Sequence, residues 1–206
     1  MKYLFDIHNH VIDALAEHGW CVVPDYISQP QARQLAHEAL QLQQANALGR
    51  AGIGKGAGRT VNPEIRGDAI LWLEEPHITD TQRDYLARLE QLRLAANAGL
   101  QLGLFDFEGH LAMYPPGSFY RKHLDRFQSD SLRTLTAILY LNEDWRVEDG
   151  GQLRVYTGDD DYFDVLPQAG TLMTFLTDGV WHEVLPATRE RISITGWFKT
   201  RGAALL

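Results

Sequence analysis

The stretch DGVWHEVLPATRERISITGWFK, residues 178–199, contains two β-rich runs, 180–185 and 191–199, with turn signals between them. Side chains alternate across a strand, so Arg191, Ser193 and Thr195 share one face of the second run. Six more short runs of the same kind precede these two: 109–114, 118–124, 132–142, 151–156, 162–166 and 170–176. From about residue 104 onward no helical pattern interrupts them. About eight strands separated by turns read as a sandwich, a jelly roll or a barrel.

The N-terminal half has a different period. FDIHNHVIDALAEHG (5–19) spaces Phe5, Val11, Ile12 and Leu15 along one helical face, and Gly19 is a stop. WCVVPDYI (20–27) reads as a short strand cut by Pro24. A helix over 28–49 follows, with Ser28 as N-cap, Pro30 in the first turn and Gly49 at the end. DAILWLE (68–74) is a strand, and 79–99 is a second long helix capped by Thr79 or Asp80. No linker, repeat or low-complexity segment divides the chain. The expectation is one α+β domain over 1–206, with helical support over 1–103 and a β-core over 104–200.

Composition excludes several functions. The chain has 206 residues, is 45% hydrophobic and carries a formal charge of −8, with no basic footprint for nucleic acid. Its one cysteine, Cys21, permits neither an internal disulfide nor a cysteine zinc cluster. No apolar run reaches the length needed to span a membrane, and the N-terminus lacks the apolar segment of a signal peptide. A cytoplasmic protein is expected. Between 49 and 67 lie six glycines with no apolar period. GRAGIGK within it matches the start of a phosphate-binding loop at Gly49, Gly54 and Lys55. Gly56 replaces the hydroxyl residue that holds magnesium there, and no helix follows. His8 and His10 are expected to be solvated, and Asp159, Asp160 and Asp161 to form a polar turn.

YRKHLDRF (120–127) places His123 and Asp125 two apart, which on a strand puts both on one side. His182 lies in a later strand of the same β-region. Two imidazoles and one carboxylate on one face of a metal form the facial triad of non-haem iron oxygenases. Arg191 adds a second signal. A cation facing the interior of a β-structure is unfavourable unless an anion meets it, and a guanidinium matches a carboxylate with two parallel hydrogen bonds. A dicarboxylate cosubstrate would chelate the metal at one end and meet Arg191 at the other, with Lys199 and Arg133 as the next cations to consider.

These residues make a resemblance explicit. MYPPGSFYRKHLD, RTLTAILYLNEDW, DGGQLRVY and WHEVLPATRERISITGWF, with RGDAILWLE upstream, resemble the 2-oxoglutarate- and Fe(II)-dependent prolyl hydroxylases over residues 66 to 199. The resemblance is to the hypoxia-inducible-factor type and its bacterial relatives. It implies a double-stranded β-helix, or jelly roll, braced by the N-terminal helices. It implies Fe(II) on His123, Asp125 and His182. The distal carboxylate of 2-oxoglutarate would lie on Arg191, with a hydrogen bond from Tyr140, and Tyr114 and Thr195 would line the cosubstrate pocket. Arg133, Trp197, Arg66 and Asp68 would face the substrate, over which the segment 49–66 would close. The implied reaction hydroxylates a peptidyl proline with O2, supported by ascorbate, and yields succinate and CO2. The implied partner is a protein with an accessible proline loop. Some bacterial relatives act on elongation factor Tu. The glycine-rich 49–66 shares little with the animal enzymes, so their peptide substrate does not carry over. The alternatives are a related oxygenase acting on another side chain or a small molecule, and an oxygen- or 2-oxoglutarate-sensing binding module.

Overall fold

Three helices are built on apolar stripes that face one sheet. The computed structural model describes residues 2–52, 60–125 and 132–202. In α1 (Lys2–His18), His8, Val11 and Leu15 are buried at the i, i+3, i+7 spacing of a helical face. Gly19 ends it at φ 80°, donating its N–H to the Leu15 carbonyl. In α2 (Gln29–Gln44) the Ser28 side chain accepts from the Gln31 N–H, as expected of the N-cap. This helix stops five residues short of Gly49. In α3 (Asp80–Leu100) Thr79 and Gln82 form a reciprocal capping box, and Tyr85, Leu89, Leu92 and Ala96 make the buried stripe.

The strands are β1 (Trp20–Val23), β2 (Gly49–Arg50), β3 (Ala69–Trp72), β4 (Leu104–Tyr114), β5 (Tyr120–His123), β6 (Arg133–Tyr140), β7 (Leu153–Tyr156), β8 (Tyr162–Val165), β9 (Leu172–Leu176), β10 (His182–Val184) and β11 (Arg191–Thr200). Among the described residues they form two antiparallel sheets. The larger has the order β1-β9-β6-β11-β4-β3-β2, and the smaller β5-β10-β7-β8. This is the jelly roll expected, and each of the eight C-terminal runs is a strand. β4 starts five residues earlier than its sequence pattern suggested, and β2 lies at the edge of the expected loop. Residues 53–59 of that loop lie outside the described residues.

Each face of the large sheet covers a core. On one side Leu111, Leu135, Leu139, Ile194 and Phe198 meet Leu35, Leu89 and Leu92 of the helices and Tyr26 of the turn before α2. On the other, Ile138, Met173 and Phe175 meet Leu153, Val155 and Val184 of the small sheet. The site lies in this second space. His8 departs from expectation: it is 6% exposed, because its place three residues before Val11 and seven before Leu15 puts it on the buried stripe of α1. His10 is exposed, as are Asp159, Asp160 and Asp161 in the turn closed by the Thr157 N–H on the Asp161 carbonyl. Among the described residues no helix is long and apolar enough to cross a membrane.

β11 is the strand on which this arrangement turns, since it pairs with β4 on one side and β6 on the other. At Gly196 an added Cβ would lie 2.5 Å from the Glu108 carbonyl oxygen and 2.8 Å from the Gly109 Cα, both backbone atoms of β4. Gly49, on edge strand β2, has nothing within 4 Å of the same position. Gly196→Ala should therefore lower stability by about 1–3 kcal/mol, the range for overpacking. Gly49→Ala should change it by less than about 0.5 kcal/mol, as surface substitutions do. Urea denaturation of the two variants checks both values.

Candidate active site

The small sheet brings two histidines together. His123, the last residue of β5, pairs in register with His182, the first of β10, and their rings are 4.2 Å apart. Tyr120 stacks on His123 at 3.6 Å, and Phe175 packs against His182 at 4.8 Å. The carboxylate arrives differently from the sequence expectation. β5 ends at His123, so Asp125 lies in the bend beyond the strand and not on its pleat. From there its Oδ1 lies 3.6 Å from both imidazole Nε2 atoms. The ligand atoms of the three residues lie within 4.8 Å of one another, a group that could hold a metal ion.

The atoms behind these three fix which face each presents. Nδ1 of His123 lies 2.7 Å from the Arg121 carbonyl, and Nδ1 of His182 lies 3.1 Å from the Val180 carbonyl. A carbonyl only accepts, so each Nδ1 carries the proton and each Nε2 keeps a lone pair for the metal. The Thr136 hydroxyl donates to Asp125 Oδ2 at 2.8 Å, leaving Oδ1 to the shared point. Burial alone would raise the Asp125 carboxyl, but the neighbouring rings of His182 and His123 hold it well below the usual carboxylate range. Burial lowers the His182 imidazole to about 4, helped by His123 and opposed by Asp125. A carboxylate and a neutral imidazole are the forms that bind a divalent cation, so the donor set fits one.

Across the cavity stands the large sheet. Arg191, Thr195 and Trp197 of β11 and His110, Ala112 and Tyr114 of β4 line it, together with Arg66 and Arg133. The side chains of Arg191 and Thr195 share a face, as the alternation predicts. Ser193 is buried with its hydroxyl 3.4 Å from that of Thr195. The three arginines differ in their partners. Arg66 forms a bidentate pair with Asp68 at 2.6 and 2.8 Å, so Asp68 is committed to that arginine. Arg133 pairs with Glu108 and lies 3.5 Å over the Trp197 ring. Arg191 is 2% exposed, and its Nε donates to the Gly151 carbonyl at 2.8 Å. Among the described residues no carboxylate meets it. Its guanidinium is 5.2 Å from the rings of Tyr114 and Tyr140. The Tyr140 hydroxyl, pushed up to about 12 by burial, is enclosed there without a hydrogen bond of normal geometry. Lys199, the other cation considered for the anchor, is held by Asp106 and Glu108 at 3.1 and 3.0 Å.

Sequence reasoning missed Thr136, His110 and Glu108. Thr136 lies two residues before Ile138 on the inner face of β6, and only the packing of the bend after β5 against that face brings it to Asp125. His110 is an isolated histidine in a long run with no spacing to mark it.

A metal group facing a buried arginine in a jelly roll defines a class. Residues 109–199 match the 2OG-Fe(II) oxygenase superfamily, and the chain belongs to that family. Within it the similarity is to the prolyl hydroxylases. A Pseudomonas putida prolyl-4-hydroxylase is 47% identical, with 95% of this chain and all of that one covered at a TM-score of 0.86. A Trichoplax adhaerens prolyl hydroxylase, solved with a hypoxia-inducible-factor oxygen degradation domain peptide, is 26% identical over 96% and 91% of the two chains, at 0.87. Human Egl nine homolog 1 is 30% identical over 92% of this chain and 46% of that protein. The chain spans about half the length of the curated Egl nine relatives it matches.

Two outcomes follow from the geometry. Thr136→Val removes the donor to Asp125 Oδ2 while keeping the volume, and should weaken divalent-metal binding about 10–100-fold, as outer-shell substitutions do. Titration of the metal-free protein with Co(II) measures this. The second outcome concerns acid. Burial lowers His110 to about 3 and His182 to about 4, below the ordinary imidazole value of about 6.5. As pH falls from 6.5 toward 4 the unfolded chain takes up protons that the folded chain excludes, so stability is lost over that window. The loss is roughly 1.4 kcal/mol per pH unit for each histidine. Urea titrations of the metal-free protein at pH 7, 6 and 5 should show the fall, and His110→Leu should remove one histidine's share of it.

Proposed function

We propose that the chain is a 2-oxoglutarate- and Fe(II)-dependent prolyl 4-hydroxylase that acts on a peptidyl proline of a protein partner. One observation carries this reading: three preformed metal donors share a cavity with Arg191, a buried cation that no carboxylate among the described residues meets. A metal site alone would suit many reactions. A buried guanidinium opposite it selects a ligand that is chelating at one end and anionic at the other, which 2-oxoglutarate is.

In this reading His123 Nε2, Asp125 Oδ1 and His182 Nε2 hold the iron. Bound there, Fe(II) supplies the oxygen chemistry that no side chain can perform. One oxygen atom of O2 enters succinate, formed with CO2 from 2-oxoglutarate, and the other enters the proline ring. The residues of this chain bind and orient. Arg191 donates two N–H groups to the far carboxylate, and the Tyr140 hydroxyl donates a third hydrogen bond. Tyr114 and Thr195 wall the pocket and exclude water. Trp197, with Arg133 on its face, forms the wall toward the proline. The Arg66–Asp68 pair fixes the chain segment at the rim. Elongation factor Tu, which the resemblance to bacterial relatives supplies, is the first protein partner to test, with ascorbate as the supporting reductant.

Arg191→Lys keeps the charge and loses the fork. It should raise the apparent KM for 2-oxoglutarate by at least about tenfold, the loss expected for a charged hydrogen bond, and leave metal affinity unchanged. Steady-state turnover measured against 2-oxoglutarate concentration checks this, and wild-type dependence would assign the anchor elsewhere. The reaction itself is tested by incubating the enzyme with Fe(II), ascorbate, 2-oxoglutarate and purified elongation factor Tu or host cytosol. Succinate should form in step with prolines heavier by one oxygen atom, and Asp125→Ala should abolish both. A tight complex without coupled succinate would identify a binding module.

A further inference from the structure

His110 is buried on β4 with both ring nitrogens lacking hydrogen-bond partners, and it lines the cavity that holds the metal group and Arg191. Buried polar atoms are nearly always paired in folded proteins. An imidazole with two open nitrogens on a cavity wall therefore marks where a polar atom of a ligand belongs.

The sheet register says which part of a ligand this is. Tyr114 lies opposite Arg191, and His110 lies opposite Thr195, on the paired strands β4 and β11. Two residues further along β11, Trp197 lies opposite Thr136 on β6, the residue that holds the Asp125 carboxylate. Arg191 thus marks one end of the wall. His110 and Thr195 mark the other, four residues and about 13 Å of strand away, beside the row that supports the metal group. Only Ala112 separates His110 from Tyr114 on this face of β4. A diacid with its far carboxylate on the guanidinium, which stands off its strand on a long side chain, extends along this face toward His110.

We infer that His110 hydrogen-bonds the 2-oxo oxygen of 2-oxoglutarate, so that this chain holds its cosubstrate from two points of one wall. The inference rests on the function proposed above. The ring is suited to the task. Burial, with the charges of Arg66 and Arg133, lowers it to about 3, so at neutral pH it presents one N–H donor and one lone pair. Trp72 and Trp197 fix its plane, with ring centroids 5.0 and 5.5 Å away. A ring only 1% exposed, packed edge-on against the more exposed Trp72, is reached by a small ligand before a peptide segment.

Calorimetry on the Zn(II)-loaded full chain tests this with two probes, 2-oxoglutarate and glutarate. Glutarate has both carboxylates and lacks the oxo group. His110→Leu should lose about 3–10-fold in affinity for 2-oxoglutarate, the range for a hydrogen bond to a neutral group such as the oxo oxygen. It should bind glutarate and Zn(II) as the wild type does. His110→Gln, whose amide can donate, should recover most of the loss. Equal affinity of wild type and His110→Leu for 2-oxoglutarate, or an equal loss for glutarate, overturns the inference and leaves the proposed function standing. No binding of 2-oxoglutarate by the wild type overturns both. Should His110→Leu fail to fold, nitrogen-15 spectra of the histidine side chains decide. The ring resonances that vanish in His110→Gln must shift in wild type on adding 2-oxoglutarate and stay in place with glutarate; ring resonances that do not respond to 2-oxoglutarate overturn the inference.

Discussion

Arg191 carries a full positive charge at 2% exposure, between two tyrosine rings and with a backbone carbonyl as its hydrogen-bond acceptor. Such a charge is strongly disfavoured away from water unless an anion meets it. The surrounding structure holds it there nonetheless. β11 is clamped between β4 and β6 over nearly its whole length, and Gly151 brings its carbonyl to the guanidinium through a positive-φ turn that favours glycine. A site built this way stores its electrostatic need for the ligand that supplies the missing carboxylate.

The same cavity shows how selectivity arises in an acidic protein. Its formal charge is −8, which would repel a diacid at long range. Inside, three arginines line the wall, and two of them are neutralised by Asp68 and Glu108. The field that remains points to Arg191 at one end. At the other end Asp125 lies between His123 and His182, so a dianion cannot settle there until a cation does. The helices pack Leu89, Leu92 and Tyr85 behind the large sheet.

Much of this was legible in the chain because it is periodic. The eight C-terminal strands, the caps at Ser28 and Thr79, and the shared face of Arg191 and Thr195 all follow from local spacing. The His-Asp-His group was legible as residue types, and its assembly was not: Asp125 reaches the histidines from a bend, while the pleat that suggested the pair ends at His123. His8 was misread because its polarity masked its place, three residues before Val11, on the buried face of the helix. Thr136 and His110 were invisible for a deeper reason. Each acquires its role from a neighbour far away in sequence, Asp125 for one and the β11 register for the other, and no local period encodes a cross-strand partner. Arg66, Asp68 and Arg133 were identified as site residues, but their pairing, which leaves Arg191 alone, is a tertiary fact.

The central claim is that one cavity holds a divalent metal at one end and a diacid's far carboxylate on Arg191 at the other. A crystal structure of the protein soaked with Mn(II) and 2-oxoglutarate tests it most directly. The account predicts metal at about 2.0–2.3 Å from His123 Nε2, Asp125 Oδ1 and His182 Nε2, with the far carboxylate in a two-bonded pair with Arg191. Metal bound elsewhere, or a diacid whose far carboxylate leaves the Arg191 guanidinium unmet, would contradict it.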